Sequence, residues 1–182
     1  MDELSELKKQ AEDALTAANE DSSPKCKYMT FKSGNEFFGL KIQYVNEIIQ
    51  IPPITAIPRT ETYIKGLINL RGKIIPVIDV RLRFNQEPLE YDDRTCIIVV
   101  IVNNMTVGLI VEQIAEVIEI KESNILPPPK RGHADRVDNK FVYGIARVGN
   151  SVKLLLDPDK LLNDEEMSSM EQANNTMIAM KD

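Results

Sequence analysis

The stretch Phe38-Gly39-Leu40-Lys41-Ile42-Gln43-Tyr44-Val45-Asn46-Glu47-Ile48-Ile49-Gln50-Ile51 returns 69 positions later as Val107-Gly108-Leu109-Ile110-Val111-Glu112-Gln113-Ile114-Ala115-Glu116-Val117-Ile118-Glu119-Ile120. Gly39 lies on Gly108, Leu40 on Leu109, Val45 on Ile114, Glu47 on Glu116 and Ile48 on Val117, and further on Pro58 meets Pro127. A second block returns at a shift of 78, where Gly66-Leu67-Ile68 lies on Gly144-Ile145-Ala146, Val77-Ile78 on Leu155-Leu156 and Asp79 on Asp157. The nine extra positions fit the polar insert Lys130–Lys140. Chance supplies apolar matches between Ile-rich strands, but not two glycines, a glutamate, a proline and an aspartate in order. The chain reads as two related β lobes.

Outward from this repeat, short Val- and Ile-rich runs are punctuated by Gly, Asn, Asp and Pro, the pattern of many short strands. They are Tyr28–Phe31, Phe37–Ile42, Lys73–Val80, Thr95–Val102, Thr106–Val111, Ile114–Ile120, Phe141–Val148 and Val152–Leu156. Asn103-Asn104 marks a tight turn. Val45–Ile51 reads either as part of a strand or as a helical turn leading into one. Gly66-Leu67-Ile68-Asn69-Leu70-Arg71-Gly72 reads as a turn between apolar runs. Asp157-Pro158 supplies an N-cap and a first-turn proline. Asn163 with Glu166 resembles a capping box opening a short acidic helix over Asp164–Ala173.

The first 20 residues carry Leu4, Leu7, Ala11, Ala14, Leu15 and Ala18 at roughly helical spacing. A helix so short is marginal alone, so a frayed helix or disordered tail is expected over residues 1–24. A domain of two lobes follows over 25–164, approximately 25–90 and 91–164, with exchange of strands between them allowed for. An acidic helix and tail close the chain over 165–182. Both tails are poor in large apolar residues and are expected to bury little area.

The net charge of −6 resides in the ends, for residues 1–23 and 157–182 each carry a net of −5 and leave a body of +4. So mild a positive charge is far from a nucleic-acid stripe, and with no tryptophan the stacking platforms for single strands are lacking. No apolar run approaches the ~20 residues of a membrane span, and the acidic Met1-Asp2-Glu3-Leu4 start is unlike a signal peptide. A cytoplasmic protein is expected, with Cys26 and Cys96 as reduced thiols.

The inventory for catalysis is empty. His133, the single histidine, lies in the polar insert beside Lys130 and Arg131 and reads as an exposed loop residue. With no second histidine and no cysteine pair, no metal site is expected. Gly66–Gly72 lacks the spacing of a phosphate loop, and Asp92-Asp93 beside Arg94 reads as solvated charge. No cofactor is expected. What remains is the shared and unshared residues of the repeat. Gly39/Gly108 and Asp79/Asp157 occur in both lobes and most simply serve the fold. Asn69, Arg71 and Gly72 face Arg147, Gly149 and Asn150 and need another account. On physics alone, Arg71 is either a solvated charge on a hairpin that Asn and Gly close or a surface anchor of the kind enriched at interfaces. Val45, Glu47 and Ile48 are either core or exposed edge.

Phe38-Gly39-Leu40 with Val45-Asn46-Glu47-Ile48, Ile57-Pro58, Tyr63-Ile64-Lys65-Gly66 through Asn69-Leu70-Arg71-Gly72, and Ile75-Pro76-Val77-Ile78-Asp79 resemble the CheW family of chemotaxis coupling proteins. Val107-Gly108-Leu109-Ile110-Val111 and Leu161-Leu162-Asn163-Asp164-Glu165-Glu166-Met167 continue the likeness, which covers roughly residues 26–170. The resemblance implies a mainly β fold of two packed, five-stranded, SH3-like β-barrel subdomains with short helices and a C-terminal helix. It implies a non-catalytic adaptor, monomeric when isolated, that joins the histidine kinase CheA, through its regulatory domain, to the cytoplasmic tips of chemoreceptors. It places interaction roles on Val45, Glu47, Ile48, Lys65, Gly66, Asn69, Arg71 and Gly72. Neither nucleic acid nor direct membrane insertion is expected. CheV proteins add a phospho-receiver domain, for which the residues after this fold leave no room. Glu47 is expected to pair with Arg71.

Overall fold

The computed structural model describes residues 5–11, 27–128 and 141–161. A helix over 5–11 (α1) is followed by strands β1 (Lys27–Ser33), β2 (Glu36–Lys41), β3 (Val45–Ile49), β4 (Ile64–Leu70) and β5 (Lys73–Asp79), then a one-turn helix α2 (Val80–Arg83). Next come β6 (Cys96–Val102), β7 (Met105–Val111), β8 (Gln113–Glu119), a two-residue β9 (Ile125–Leu126), β10 (Val142–Val148), β11 (Ser151–Leu156) and the helix α3 (Pro158–Leu161).

The strands form two sheets. The six-stranded sheet has the order β8-β1-β2-β11-β10-β9 and the five-stranded sheet β3-β6-β7-β5-β4. Matched through the repeat, β6, β7, β8, β10 and β11 are the second copies of β1 to β5. The two orders are then the same, with strands exchanged between copies. Each lobe takes strands from both halves of the chain, and the backbone crosses between lobes at β2→β3 and again at β7→β8.

The repeat persists at the level of single hydrogen-bonded pairs. Gly39 of β2 lies beside Leu155 of β11 in a parallel pair, as Gly108 of β7 lies beside Val77 of β5. A Cβ on Gly39 would come within 3.0 Å of Leu155 Cδ2, and one on Gly108 within 2.6 Å of Val77 Cγ1. The shared glycines thus admit the same neighbouring side chain in both lobes. Asp79 takes its backbone hydrogen bond from N–H to the Tyr63 carbonyl at 2.7 Å, and Asp157 does so to Phe141 at 2.9 Å. Each aspartate then caps the helix after it: Asp79 accepts from Leu82 N at 3.3 Å and Asp157 from Asp159 N at 3.1 Å.

β6 carries the logic of the core. Its run Cys-Ile-Ile-Val-Val-Ile-Val is too continuous for a half-exposed strand, and both its faces are covered except at Ile101. Cys96, Ile98, Val100 and Val102 join the largest cluster, which lies between the two lobes, while Ile97 and Val99 enter the interior of the five-stranded lobe. A third, smaller cluster around Tyr28, Ile120, Ala146 and Leu155 fills the other lobe. Four phenylalanines thread the main core: Phe31–Phe38, Phe38–Phe84 and Phe84–Phe141 have ring centroids 5.7, 4.7 and 5.7 Å apart. Contacts of this kind add about 0.5–1.5 kcal/mol each beyond area burial.

Three sequence expectations change or sharpen. Gly66–Leu70, read as part of a turn, belongs to β4, and the turn itself is only Arg71-Gly72. Gly66–Ile68 is packed inside, where pairing with β5 satisfies the backbone groups. Of Val45–Ile51, Val45–Ile49 is the strand β3, and the helical turn lies before that stretch, as a 3-10 turn at Ile42–Tyr44. The N-terminal segment, expected to bury little area, is helical over 5–11, with Ala11 fully buried and Leu7 packed on the main core. Asn103 and Asn104 close the β6–β7 hairpin, both with positive φ (51° and 64°). His133 and the proposed second helix start at Asn163 lie outside the described residues.

Candidate interaction surface

β3 and β4 are the two edges of the five-stranded sheet. A bulge between Val45 and Glu47 re-aims β3: Val45 pairs with Val100 and Glu47 with Val99, which leaves Asn46 without a place in the ladder. As a result Val45 and Ile48 face the core, Asn46 faces solvent, and Glu47 stands at the rim.

Across from it, the β4–β5 hairpin closes in two residues. Arg71 (φ 51°) and Gly72 (φ 86°) are both left-handed, the type I′ geometry that matches strand twist. Asn69 Oδ1 accepts from Gly72 N at 2.8 Å, so the hairpin supplies its own closure. Arginine is an unusual choice at a left-handed position, where glycine or asparagine fits without strain. The related hairpin β10–β11 has Gly149 there, also left-handed (φ 60°).

Arg71 reaches from this tip to the opposite sheet edge. Its Nη1 donates to Glu47 Oε1 at 3.0 Å and its Nη2 to Glu47 Oε2 at 2.6 Å, a two-pronged ion pair. These hydrogen bonds, and then the carboxylate's charge, hold the guanidinium above its ordinary pKa. The Arg71 side chain is 73% exposed and that of Glu47 21%. The pair therefore fixes the orientation of a cation while leaving it open to solvent. In the other lobe the equivalent glutamate, Glu116, is 3.9 Å from the buried Lys153, whose ammonium lies over the Phe37 ring at 4.2 Å. That lobe turns its cation inward.

The eight residues assigned interaction roles thus divide. Glu47, Asn69, Arg71 and Gly72 form one constellation at the tip. Val45 and Ile48 are buried beneath it and hold β3 in place. Gly66 is a packing residue: a Cβ there would stand 2.0 Å from the Thr55 carbonyl oxygen, and one on Gly144 in the other lobe would stand 2.6 Å from Ile125 Cγ2. Lys65 sits on β4 away from the tip, its ammonium 5.9 Å from the Tyr91 ring centroid. Tyr91 donates to Asp79 Oδ2 at 2.8 Å, and burial raises its hydroxyl pKa, with Asp79 adding to the effect. Tyr91 and Leu89 leave large apolar surface exposed beside Lys65. The sequence reading passed over this patch, whose signal was two big apolar residues in an otherwise polar loop.

Among the described residues, no group of three or more His, Cys, Asp or Glu side chains is placed to hold a metal ion. Among those residues, too, no helix is long and apolar enough to cross a membrane.

Comparison with known proteins points one way. A family model described as a CheW-like domain matches residues 27–166. The chain is 35% identical over 141 residues to a chemotaxis protein CheW from Klebsiella aerogenes, covering 78% of this chain and 84% of that one. It is 31% identical to a chemotaxis protein CheW from Bacillus subtilis, covering 79% and 90%. The crystal structure of a scaffolding protein, TtCheW from Thermoanaerobacter tengcongensis, superposes with a TM-score of 0.72 at 38% identity, covering 79% of this chain and 97% of that one.

Proposed function

Because this chain belongs to the CheW family of chemotaxis scaffolds, we propose that it is a non-catalytic cytoplasmic adaptor coupling chemoreceptors to the histidine kinase CheA, with the Arg71–Glu47 tip as its central contact. The observation that carries this reading is a cation held rigid yet exposed. An ion pair on a surface usually spends side-chain entropy for little stability. Here it also sits on a backbone position that disfavours arginine. Such a residue gains its value from what it meets, since arginine presents a planar donor fork to carboxylates or carbonyls.

On this reading the docking face is narrower than the eight assigned positions. Glu47, Asn69, Arg71 and Gly72 meet the partner, Val45 and Ile48 support them, and Gly66 keeps β4 in place. Lys65 with Tyr91 offers a second contact along the same strand. A bridge needs a second surface as well, and on this reading the other partner docks on the six-stranded lobe.

The test is assembly. The full chain is mixed with the regulatory domain of CheA, with a receptor signalling fragment, and with both, and complexes are measured by sedimentation. Binding to each alone and a ternary complex with both are expected. Failure to bind either partner would overturn the proposal.

A further inference from the structure

The helices that close the two repeat copies meet at one side chain. Arg83 ends α2, and its counterpart at the spacing of 78 is Leu161, the last described residue of α3. The counterparts touch: Arg83 Nε donates to the Leu161 carbonyl at 2.7 Å. Residues related by a pseudo-twofold axis can touch only where that axis runs. Arg83 therefore stands at the axis between the lobes.

A second related pair flanks it. Tyr63 and Phe141 are also 78 positions apart, and Arg83 Cζ lies 4.4 Å from the Tyr63 ring centroid and 4.6 Å from that of Phe141. Each ring is tied to its own lobe, because its backbone carbonyl accepts from Asp79 or Asp157 at the end of β5 or β11. The guanidinium plane is thus shared between one aromatic of each lobe. The Tyr63 hydroxyl is buried and has no hydrogen-bond partner among the described residues, so its own polar group does not anchor that ring. Only one of the two related positions carries a cation. Leu161 is apolar and buried, which avoids a repelling pair of charges at the axis.

The apolar contacts between the lobes hold them together but carry little direction. A guanidinium between two rings, held by a carbonyl in addition, is directional. We propose that Arg83 is the positioning residue of the adaptor: it fixes the angle between the lobes, and with it the spacing of the surfaces that bind the two partners. The second half of this statement rests on the bridging function proposed above. A further lock limits sliding. Glu112, in the crossing from β7 to β8, accepts from Gly34 N of the β1–β2 turn at 2.8 Å and from Arg81 Nη1 of α2 at 3.0 Å. Loss of Arg83 is therefore expected to loosen rotation, not to part the lobes.

The test uses the full chain with Arg83→Met, which keeps an apolar stem, and Arg83→Lys, which keeps the charge without the plane. Residual dipolar couplings from the two lobes should fit one alignment frame in the parent protein. In Arg83→Met each lobe should fit its own frame, rotated from the other or averaged. Affinity for kinase or receptor alone should stay within about twofold, while the ternary complex weakens at least about fivefold, because preorganisation is lost. Arg83→Lys should fall between, and it supplies the reading if Arg83→Met does not fold. A single shared frame in both variants would overturn the proposal, and so would displaced frames with an unweakened ternary complex. Should the parent bind neither partner, the bridging function fails, yet the alignment frames still decide whether Arg83 orients the lobes.

Discussion

Replacing Gly66 by alanine separates a fold residue from a contact residue. The added Cβ would lie 2.0 Å from Thr55 O, 2.7 Å from Thr55 C and 3.0 Å from Ala56 Cα, all backbone atoms, on a residue with φ 141°. No rotamer change relieves a clash with backbone, so the segment at Thr55 must move away. It is held there by a reciprocal pair of hydrogen bonds, Thr55 N to Leu67 O and Leu67 N to Thr55 O, both 2.8 Å. Thr55 is exposed and can turn to water, but Leu67 is buried, and leaving its N–H and C=O unsatisfied costs about 1–2 kcal/mol each. Backbone strain at positive φ adds about 1 kcal/mol. A total of about 3–5 kcal/mol is a large share of the ~5–15 kcal/mol that holds a typical domain. Gly72→Ala is the control: its Cβ meets nothing within 4 Å, and only the strain of φ 86° remains. Urea unfolding followed by circular dichroism should show about 3–5 kcal/mol lost for Gly66→Ala and about 1 kcal/mol for Gly72→Ala. Equal small losses would refute the packing role of Gly66 and return it to the docking face.

Deleting residues 1–11 should lower stability by about 1–2 kcal/mol, since Ala11 and Leu7 leave the main core; an unchanged melting curve would show that α1 contributes nothing. Tyr63→Phe should stabilise by about 1 kcal/mol, because it removes a buried hydroxyl that has no partner among the described residues, and a loss of stability would reveal a hydrogen bond to that oxygen. Burial pushes the Cys96 thiol up to about 12, so with Cys26→Ser the native protein should resist a thiol reagent at pH 8, and rapid modification would contradict the burial. The sign of that shift also matters for stability. The unfolded thiol ionises first, near its ordinary pKa, so this group's contribution falls as pH rises from about 9 towards 12.

Much of the fold was legible in the repeat, because Gly39/Gly108 and Asp79/Asp157 mark positions where backbone geometry, not side-chain size, decides the residue. The strand exchange was not, since pairing between copies and pairing within a copy satisfy the same hydrophobic pattern. The tip was half legible. The Arg71–Glu47 pair followed from charge and from the repeat, whereas the burial of Val45 and Ile48 depends on the bulge at Asn46, which alternation cannot reveal. The seating of α1 was missed because Ala11, which is fully buried, contributes almost no hydrophobic signal of its own. Arg83 carried no signal at all: its sandwich joins residues 20 and 58 positions away and exists only once the lobes are packed.

The central claim is that Arg71 serves docking and not the fold, and Arg71→Ala tests it most directly. The measurement is assembly of the receptor–kinase ternary complex, with a melting curve of the variant alongside. The side chain is largely exposed, and alanine meets the same left-handed backbone penalty as arginine, so the melting curve should stay within a few degrees of the parent. Assembly should weaken at least about tenfold, as expected for a truncated interface arginine. A variant that unfolds, or one that assembles with the parent's affinity, would contradict the account.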